Sequence, residues 1–290
     1  MKTILNTRFS HSPTGYVHIG NIRIAILNYI FSIKKKCNFF LRIENSDILR
    51  SKKKYEKKII SDIFWLKIKI KEKYFLQSNN IKIYNYIYKK MISNKSLYKC
   101  YCKIKKQKKT QYENNKKKLC NNECIKKEKK IIIKIKKEKN IVFKINTKIK
   151  KNIKYKDFIK KNILKVYKKE SFIIKKSNNT PSFLFCNIID DYKLKTTNVI
   201  RGNDHISNTP KQLIIIKLIN NYKIKYTHLP IILGNNKLPL SKRTKDISIN
   251  KLKTKNFCRN TILNFIIRIG NSYIKNEIYD IKQICYNFDF

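Results

Sequence analysis

The placement of glycine, proline and arginine constrains this chain more than any single motif. The glycines are Gly15, Gly20, Gly202, Gly234 and Gly270, and the prolines are Pro13, Pro181, Pro210, Pro230 and Pro239. The arginines are Arg8, Arg23, Arg42, Arg50, Arg201, Arg243, Arg259 and Arg268. Most fall in two clusters, roughly the first fifty residues and then 181–243. The Lys-rich middle, from about 94 to 179, has none of the three. Turns and close backbone approaches draw on Gly and Pro, and bidentate anion contacts draw on Arg. The pattern predicts one site built from two separated segments, with an insertion between them.

Composition makes these residues informative. Lys, Asn, Ile, Tyr and Phe saturate the chain, which holds a single Ala, Ala25. Residues with AT-rich codons are favoured throughout. A net charge of +51 and a pI near 10.1 would ordinarily point to nucleic acid or an anionic membrane. Codon bias accounts for part of the lysine excess, so the charge alone carries little. Arg kept against such a bias offers a rigid bidentate fork that Lys lacks. The hydrophobic fraction of 42% excludes a disordered tail. A chain of 290 residues suffices for one large or two modest domains. No apolar run reaches the ~18–20 residues needed to span a membrane, and no signal-peptide pattern opens the chain. Without a secretory signal, the eight Cys read as reduced thiols or metal ligands in a cytosolic protein.

The stretch from Arg8 to Asn21 organises the chain. The apolar Ile4-Leu5 leads in and the periodic run Ile22 to Ile33 leads out, which predicts strand, tight glycine turn and helix. A helix N-terminus carries unpaired N–H groups and partial positive charge, so it suits a phosphate. Gly15 and Gly20 let the backbone approach a ligand, and His18 is a neutral-pH donor in the turn. A Pro-Gly loop before an ordinary helix is the bland alternative. Asn38 to Ile43 reads as a buried strand, giving a right-handed βαβ unit with parallel pairing. Ligands of open α/β sheets bind beyond the carboxyl ends of strands, which puts Glu44 and Asp47 beside the Gly20 turn. Capping of the next helix is the alternative for Asp47 or Ser46. Helices are predicted from Lys54 to Leu66 and from Tyr84 to Ile92.

Cys100-Tyr101-Cys102 opens a basic run that Cys120 and Cys124 close. Two thiolate pairs can bind zinc tetrahedrally, although the first is tighter than the usual gap. Unliganded thiols in a surface insert are the alternative. Cys37, Cys186, Cys258 and Cys285 are isolated and read as small buried groups. Ile131 to Ile135 and Ile141 to Ile145 read as antiparallel strands. After Thr180-Pro181, an apolar run, helical or extended, reaches Asp191. Asn198 to Ile200 is a strand entering the polar turn Arg201-Gly202-Asn203-Asp204-His205. A helix from Pro210 to Ile219, a strand from His228 to Gly234, a basic loop from Lys237 to Arg243 and helices from Leu252 onward complete the chain.

Together these stretches are similar to the class I aminoacyl-tRNA synthetases of the glutamyl type. His18-Ile19-Gly20-Asn21 resembles the family's first signature, and Leu41 to Asp47 with Arg50-Ser51 resembles its L-R-I-E-D-T-D stretch. Thr180-Pro181, Asn187 to Asp191, Val199 to His205 and Asn208-Thr209-Pro210 fit the second half of the catalytic fold. Leu240-Ser241-Lys242-Arg243 resembles the second signature, a mobile K-M-S-K-S loop. The resemblance implies an α/β fold: a Rossmann-type parallel-sheet catalytic domain, split by an α+β acceptor-end-binding insertion and followed by a short helical segment. The expected bounds are 1–93 and 180–245 for the catalytic halves, 94–179 for the insertion with its zinc site, and 246–290 for the stem-contact helices.

The resemblance implies that glutamate and ATP, with Mg2+, form glutamyl-adenylate, and that the glutamyl group passes to tRNA(Glu). It leaves tRNA(Gln) open as a second substrate. A monomeric, cytoplasmic enzyme with no membrane partner is expected. Catalysis is then positioning plus stabilisation of charge on the α-phosphate. By resemblance, His18 and Lys242 are catalytic, and ATP meets His18, Gly20, Asn21, Asp204, His205, Ser241, Lys242 and Arg243. Glutamate meets Arg8, Ser10, Ser12, Glu44, Phe183, Asn187 and Arg201. A carboxylate side chain wants a guanidinium, and an α-ammonium wants a carboxylate.

Some positions depart from the family. Asn21 stands for the second His of the first signature, Phe183 for a frequent Tyr, and Pro239 for the first Lys of the second signature. Cys120 stands where relatives can carry Tyr as a ligand, which favours a four-Cys site of Cys100, Cys102, Cys120 and Cys124. His11 and His228 read as structural. The anticodon-binding region of longer relatives is expected to be absent after Phe290. Two other activities fit less well. A glutamyl-queuosine tRNA(Asp) synthetase is disfavoured by Ser12-Pro13-Thr14-Gly15 and by Arg201 to His205. A tRNA-binding paralogue without catalysis is motivated by Pro239 and Phe183.

Overall fold

Alternating residues build the central strand, β1 (Asn6–His11). Phe9 packs into one apolar cluster, while Arg8 reaches Asp191 on the opposite face. The computed structural model describes residues 5–100, 141–146, 152–166, 171–219, 222–234, 248–270 and 279–287. Through α1 (Ile19–Lys34) the chain returns to β2 (Asn38–Ile43), parallel to β1 from Asn6↔Asn38 to His11↔Ile43. The expected parallel βαβ unit is thus present. Its first strand lies inside the glycine motif, not ahead of it, and α1 begins at Ile19, not Ile22. Arg8 and Ser10 alternate with buried Thr7 and Phe9, and such a half-polar strand reads in sequence as a loop.

The chain continues through α2 (Lys53–Trp65), β3 (Phe75–Leu76), α3 (Ile81–Ser93) and β4 (Leu97–Cys100). Then come β5 (Val142–Ile145), β6 (Asn152–Asp157), β7 (Lys161–Val166) and β8 (Ile173–Lys175). The second half supplies α4 (Phe183–Lys193), β9 (Asn198–Gly202), α5 (Thr209–Ile219) and β10 (Lys225–Leu229). Helices α6 (Ile249–Thr254), α7 (Arg259–Arg268) and α8 (Ile281–Asn287) complete it. The run after Pro181 is helical, and its start is fixed by Ser182, whose Oγ accepts from the Phe185 N–H at 3.4 Å. The strand expected from His228 to Gly234 runs instead from Lys225 to Leu229. Pro230 has no N–H for the ladder and ends it.

The main sheet has the order β3-β2-β1-β9-β10-β6-β7. Six strands are parallel and the edge strand β7 is antiparallel. One face packs Phe9, Leu41, Ile43 and Ile200 against α1, α2, α7 and α8. The other lies under α3, α4 and α5, with Tyr84, Met91, Phe185, Ile188 and Ile215 at its core. Strand order reverses between β1 and β9, which is where open α/β sheets hold ligands. Only Thr7↔Asn198 pairs across that switch. Further along, the Ile200 carbonyl accepts instead from Asn28 Nδ2 of α1 at 3.0 Å, and Asn28 Oδ1 accepts from the Thr7 hydroxyl. A fully buried Asn replaces the ladder bond where the two strands part company.

Within 94–179, β4, β5 and β8 form an antiparallel sheet. The strand expected at 141–145 is β5; its expected partner at 131–135 lies outside the described residues. The β6–β7 hairpin joins the main sheet through Tyr226↔Asp157. No helix among the described residues is long and apolar enough to cross a membrane.

Candidate active site

At the switch point lies one open cavity of about 350 Å³. The ends of β1, β2 and β9, the first turn of α1, the start of α4 and the segment after β10 all line it. The described residues expected at the site all meet here. They are Arg8, Ser10, Ser12, His18, Gly20, Asn21, Glu44, Phe183, Asn187, Arg201, Asp204 and His205. Ser241, Lys242 and Arg243 lie outside the described residues, as do Cys102, Cys120 and Cys124. Cys100 is buried in β4 and does not line the cavity. Among the described residues, no group of three or more His, Cys, Asp or Glu could hold a metal. Asp47 is also away from the cavity and caps no helix. It pairs with Arg50 at 2.8 Å, and the residue capping α2 is Lys52.

One end of the cavity is made by the start of α1. His18 is the extended N-cap residue and its side chain does not cap the helix. The positive end of the helix dipole therefore faces the cavity. A Cβ on Gly20 would lie 3.1 Å from both Cε1 and Nδ1 of His18, so the glycine lets the imidazole rest on the helix start. A Cβ on Gly202 would lie 2.4 Å from Asp204 Oδ1, so that glycine lets the Asp204 carboxylate fold back over β9. Ser10 Oγ and Asn21 Oδ1 are buried beside the cavity without a protein partner, as groups awaiting water or a ligand are. The Phe183 ring stacks on His205 with centroids 5.6 Å apart, and burial lowers the pKa of His205, favouring its neutral form. Pro230, Ile231 and Ile232 form a wall, after which the chain passes outside the described residues at 235. It re-enters at Ser248, bridged to His18, and Ile249 donates its N–H to the Val17 carbonyl at 3.1 Å. The described residues on either side of 235–247 thus lie beside the cavity.

The other end is made of charges. Asp191 Oδ1 accepts from Arg8 Nε at 2.9 Å and from Arg42 Nη1 at 2.7 Å. Arg42 Nη2 also reaches Glu44 Oε1 at 3.1 Å, and Ser12 Oγ donates to Glu44 Oε2 at 3.3 Å. Burial pushes the Asp191 carboxyl up, but Arg8 and Arg42 outweigh it and hold it below the ordinary carboxylate range. Burial likewise opposes charge on Arg42, and Asp191, Glu44 and Asp190 more than restore it. Arg201 differs. It donates to the neutral Gln212 Oε1 at 2.8 Å, Thr209 Oγ1 at 2.6 Å, His228 Nε2 at 3.2 Å and the His205 carbonyl at 3.4 Å. Burial brings its pKa down to about 10, so it stays cationic at neutral pH. Next to Asp191, Asp190 is pushed up to about 7 by burial and accepts from Tyr84 and Gln77. Arg8 and Arg42 thus share hydrogen-bonded carboxylates, whereas the hydrogen-bond partners of Arg201 among the described residues are all neutral.

The sequence motifs contain Arg42, Asp190 and Asp191 without giving them a role, and Asn28, Asp157 and Gln212 fall outside every site expected from sequence. Arg42 carried a usable signal, an arginine kept in a lysine-saturated chain. His228, expected to be structural, is fully buried behind Arg201.

A parallel sheet with a cavity at its switch point, a glycine-bearing helix start at one end and buried arginines at the other is the layout of a Rossmann-type α/β protein. Residues 4–290 match the family described as tRNA synthetases class I (E and Q), catalytic domain, and the chain belongs to that family. It is 34% identical over 283 residues to the glutamate--tRNA ligase of Buchnera aphidicola subsp. Cinara cedri, covering 97% of this chain and 59% of the relative. It is 34% identical over 297 residues to that of Hydrogenobaculum sp., covering 97% of this chain and 64% of the relative. The chain thus spans about 60% of the length of such relatives. A solved glutamate-tRNA synthetase from Elizabethkingia anophelis shares the fold, with a TM-score of 0.79 at 21% identity, over 99% of this chain and 66% of that one. A glutamate tRNA ligase from Elizabethkingia meningosepticum, solved in complex with its amino acid, has a TM-score of 0.79 at 20% identity, over 98% and 64%.

Proposed function

We propose that this chain activates glutamate with ATP and transfers it to tRNA(Glu). The observation that carries this reading is Arg201, a buried cation on the cavity wall whose hydrogen-bond partners among the described residues are all neutral. A buried guanidinium with no carboxylate in hydrogen-bond contact stabilises an anionic ligand through a charge-assisted contact. The side-chain carboxylate of glutamate fits that position. Glu44, already near Ser12 and Arg42, then faces the α-ammonium, with Arg8, Ser10, Phe183 and Asn187 around the rest. ATP lies toward the α1 start, against His18, Gly20, Asn21, Asp204 and His205, its phosphates at the positive end of the helix. Ser241, Lys242 and Arg243 complete the nucleotide contacts, with Lys242 steadying the leaving pyrophosphate.

No covalent enzyme intermediate is needed. The α-carboxylate of glutamate attacks the α-phosphorus and pyrophosphate leaves; a hydroxyl of the terminal ribose of tRNA then attacks the acyl carbon of the adenylate, and AMP leaves. The residues contribute position and charge stabilisation, and Mg2+ accompanies ATP as part of the substrate. Cys100, Cys102, Cys120 and Cys124 form a zinc site in the same reading. Metal analysis finding zinc that is lost in Cys100→Ser supports it, and a zinc-free protein sinks it. We further propose a cytoplasmic monomer, with tRNA(Gln) as a second substrate to be tested beside tRNA(Glu).

ATP–pyrophosphate exchange, run with and without tRNA, tests the enzyme. The expected result is glutamate-dependent exchange, and its absence under both conditions removes the activity. Charging of tRNA(Glu) but not tRNA(Asp) is expected, which separates the ligase from the queuosine-directed reaction. Lys242→Ala should slow adenylate formation at least tenfold, about 1.4 kcal/mol. An unchanged rate takes Lys242 out of the reaction.

A further inference from the structure

We infer that Asp157, supplied by the 94–179 segment, is a positioning residue for Arg201 that acts through the imidazole of His228. This rests on the reading of Arg201 as the contact to the substrate carboxylate. Arg201 Nε donates to His228 Nε2 at 3.2 Å. A guanidinium N–H can only donate, and Thr209 Oγ1, also 3.0 Å from Nε2, can donate its hydroxyl there, so with a carboxylate on Nδ1 the set is satisfied by Nε2 accepting and the ring proton on Nδ1. Nδ1 lies 2.6 Å from Asp157 Oδ2, which also accepts the backbone N–H of His228 at 3.1 Å. Asp157 Oδ1 accepts from the N–H groups of Ile159 and Lys160 at 3.0 and 2.9 Å. Four donors converge on this one carboxylate, and both Asp157 and His228 are fully buried.

The consequence reaches the cavity. Gln212 and Thr209 hold Nη1 and Nη2 of Arg201, and His228 holds Nε. The third of these acceptors exists in only one tautomer of His228. In the other tautomer, Nε2–H would face Arg201 Nε–H, donor against donor. Burial and the nearby Arg201 lower His228 to about 4, so the ring is neutral at physiological pH and tautomer choice is what matters. Interposing a neutral ring also explains the charge on Arg201. A carboxylate touching Arg201 directly would orient it and neutralise it together. Asp157 acting through His228 orients it and leaves its charge for the ligand.

The chain has four His, so long-range 1H–15N correlation on histidine-labelled protein can resolve each ring. His228 is expected to carry its proton on Nδ1; a proton on Nε2 would overturn the inference. Asp157→Asn supplies the functional arm. An amide cannot accept from all four donors, and its NH2 facing His228 selects the wrong tautomer. The KM for glutamate should rise at least about tenfold while the KM for ATP moves less than about twofold. Equal movement of both, or of neither, overturns positioning, since a purely structural defect does not discriminate between the substrates. Should Asp157→Asn fail to fold, the wild-type spectrum still decides. A wild-type protein without glutamate-dependent exchange removes the proposed function, while the tautomer measurement still reads the inference separately.

Discussion

Arg42 and Arg201 sit on the two strands that flank β1, and both are buried, yet their surroundings are opposite. Arg42 is 0% exposed and shared between Asp191 and Glu44. Arg201 is 7% exposed, lines the cavity, and leans on an amide, a hydroxyl and an imidazole. Burying a cation is costly unless something compensates it. Where the fold supplies the anions, the arginine is framework that fixes α4 against β1 and β2. Where it supplies only neutral acceptors, compensation is left to a ligand. On the proposed reading, a missing hydrogen-bonded counter-charge, and not charge alone, marks the binding residue.

The largest effect should come from breaking the compensated side. Asp191→Asn leaves Arg8 and Arg42 sharing a neutral amide in a buried site. Removing one partner of a buried pair costs about 3–5 kcal/mol, read as a lower midpoint in urea. A loss below about 1 kcal/mol, the size of an exposed pair, would mean that Arg42 does not depend on Asp191. The next effect comes from the uncompensated side. Arg201→Ala should lower kcat/KM for glutamate about 100-fold, roughly 2.7 kcal/mol. Its stability should fall less than that of Asp191→Asn, because no buried charge is left without its hydrogen-bonded partner. If Arg201→Ala instead unfolds the protein while Asp191→Asn leaves it stable, the two arginines have been assigned the wrong way round.

Local features of the fold were legible because they are local. The periodic run predicted from Lys54 to Leu66 is α2, Lys53–Trp65, and Asn38–Ile43 is β2 as expected. Motif order picks out the residues expected at the site, and the described ones line one cavity. Their partnerships were not legible. Arg42 and Asp191 are separated by 149 positions, and Asp157 and His228 by 71. Nothing in a single sequence says which carboxylate pairs with which arginine, and of Arg8 and Arg201 it is Arg8 that hydrogen-bonds Asp191. The two strands read out of register failed for related reasons. In β1, site residues on the polar face disguise a core strand. In β10, the apolar run extends past Pro230, where ladder pairing stops.

The smallest effect concerns the neighbour of Asp191, and it sharpens the same contrast. Asp190 is buried, accepts from Tyr84 and from Gln77 at 2.8 Å, and has its carboxyl pushed up to about 7 by burial. In the unfolded chain an Asp titrates near its ordinary value of about 3.9. Between these values the folded state keeps a proton that the unfolded state has released. The contribution of Asp190 to stability is therefore fully present below the unfolded value and lost as pH rises through about 7. Asp191 has the opposite sign. Its folded value is depressed, so its contribution is present above the unfolded value and lost as pH falls. Unfolding midpoints of wild type and Asp190→Asn, measured in urea from pH 4 to pH 8, separate the two. Wild type should lose stability relative to Asp190→Asn as pH rises, since the amide cannot acquire the buried charge. Parallel curves would mean that Asp190 is already ionised in the fold, with Arg42 compensating it as fully as it does Asp191.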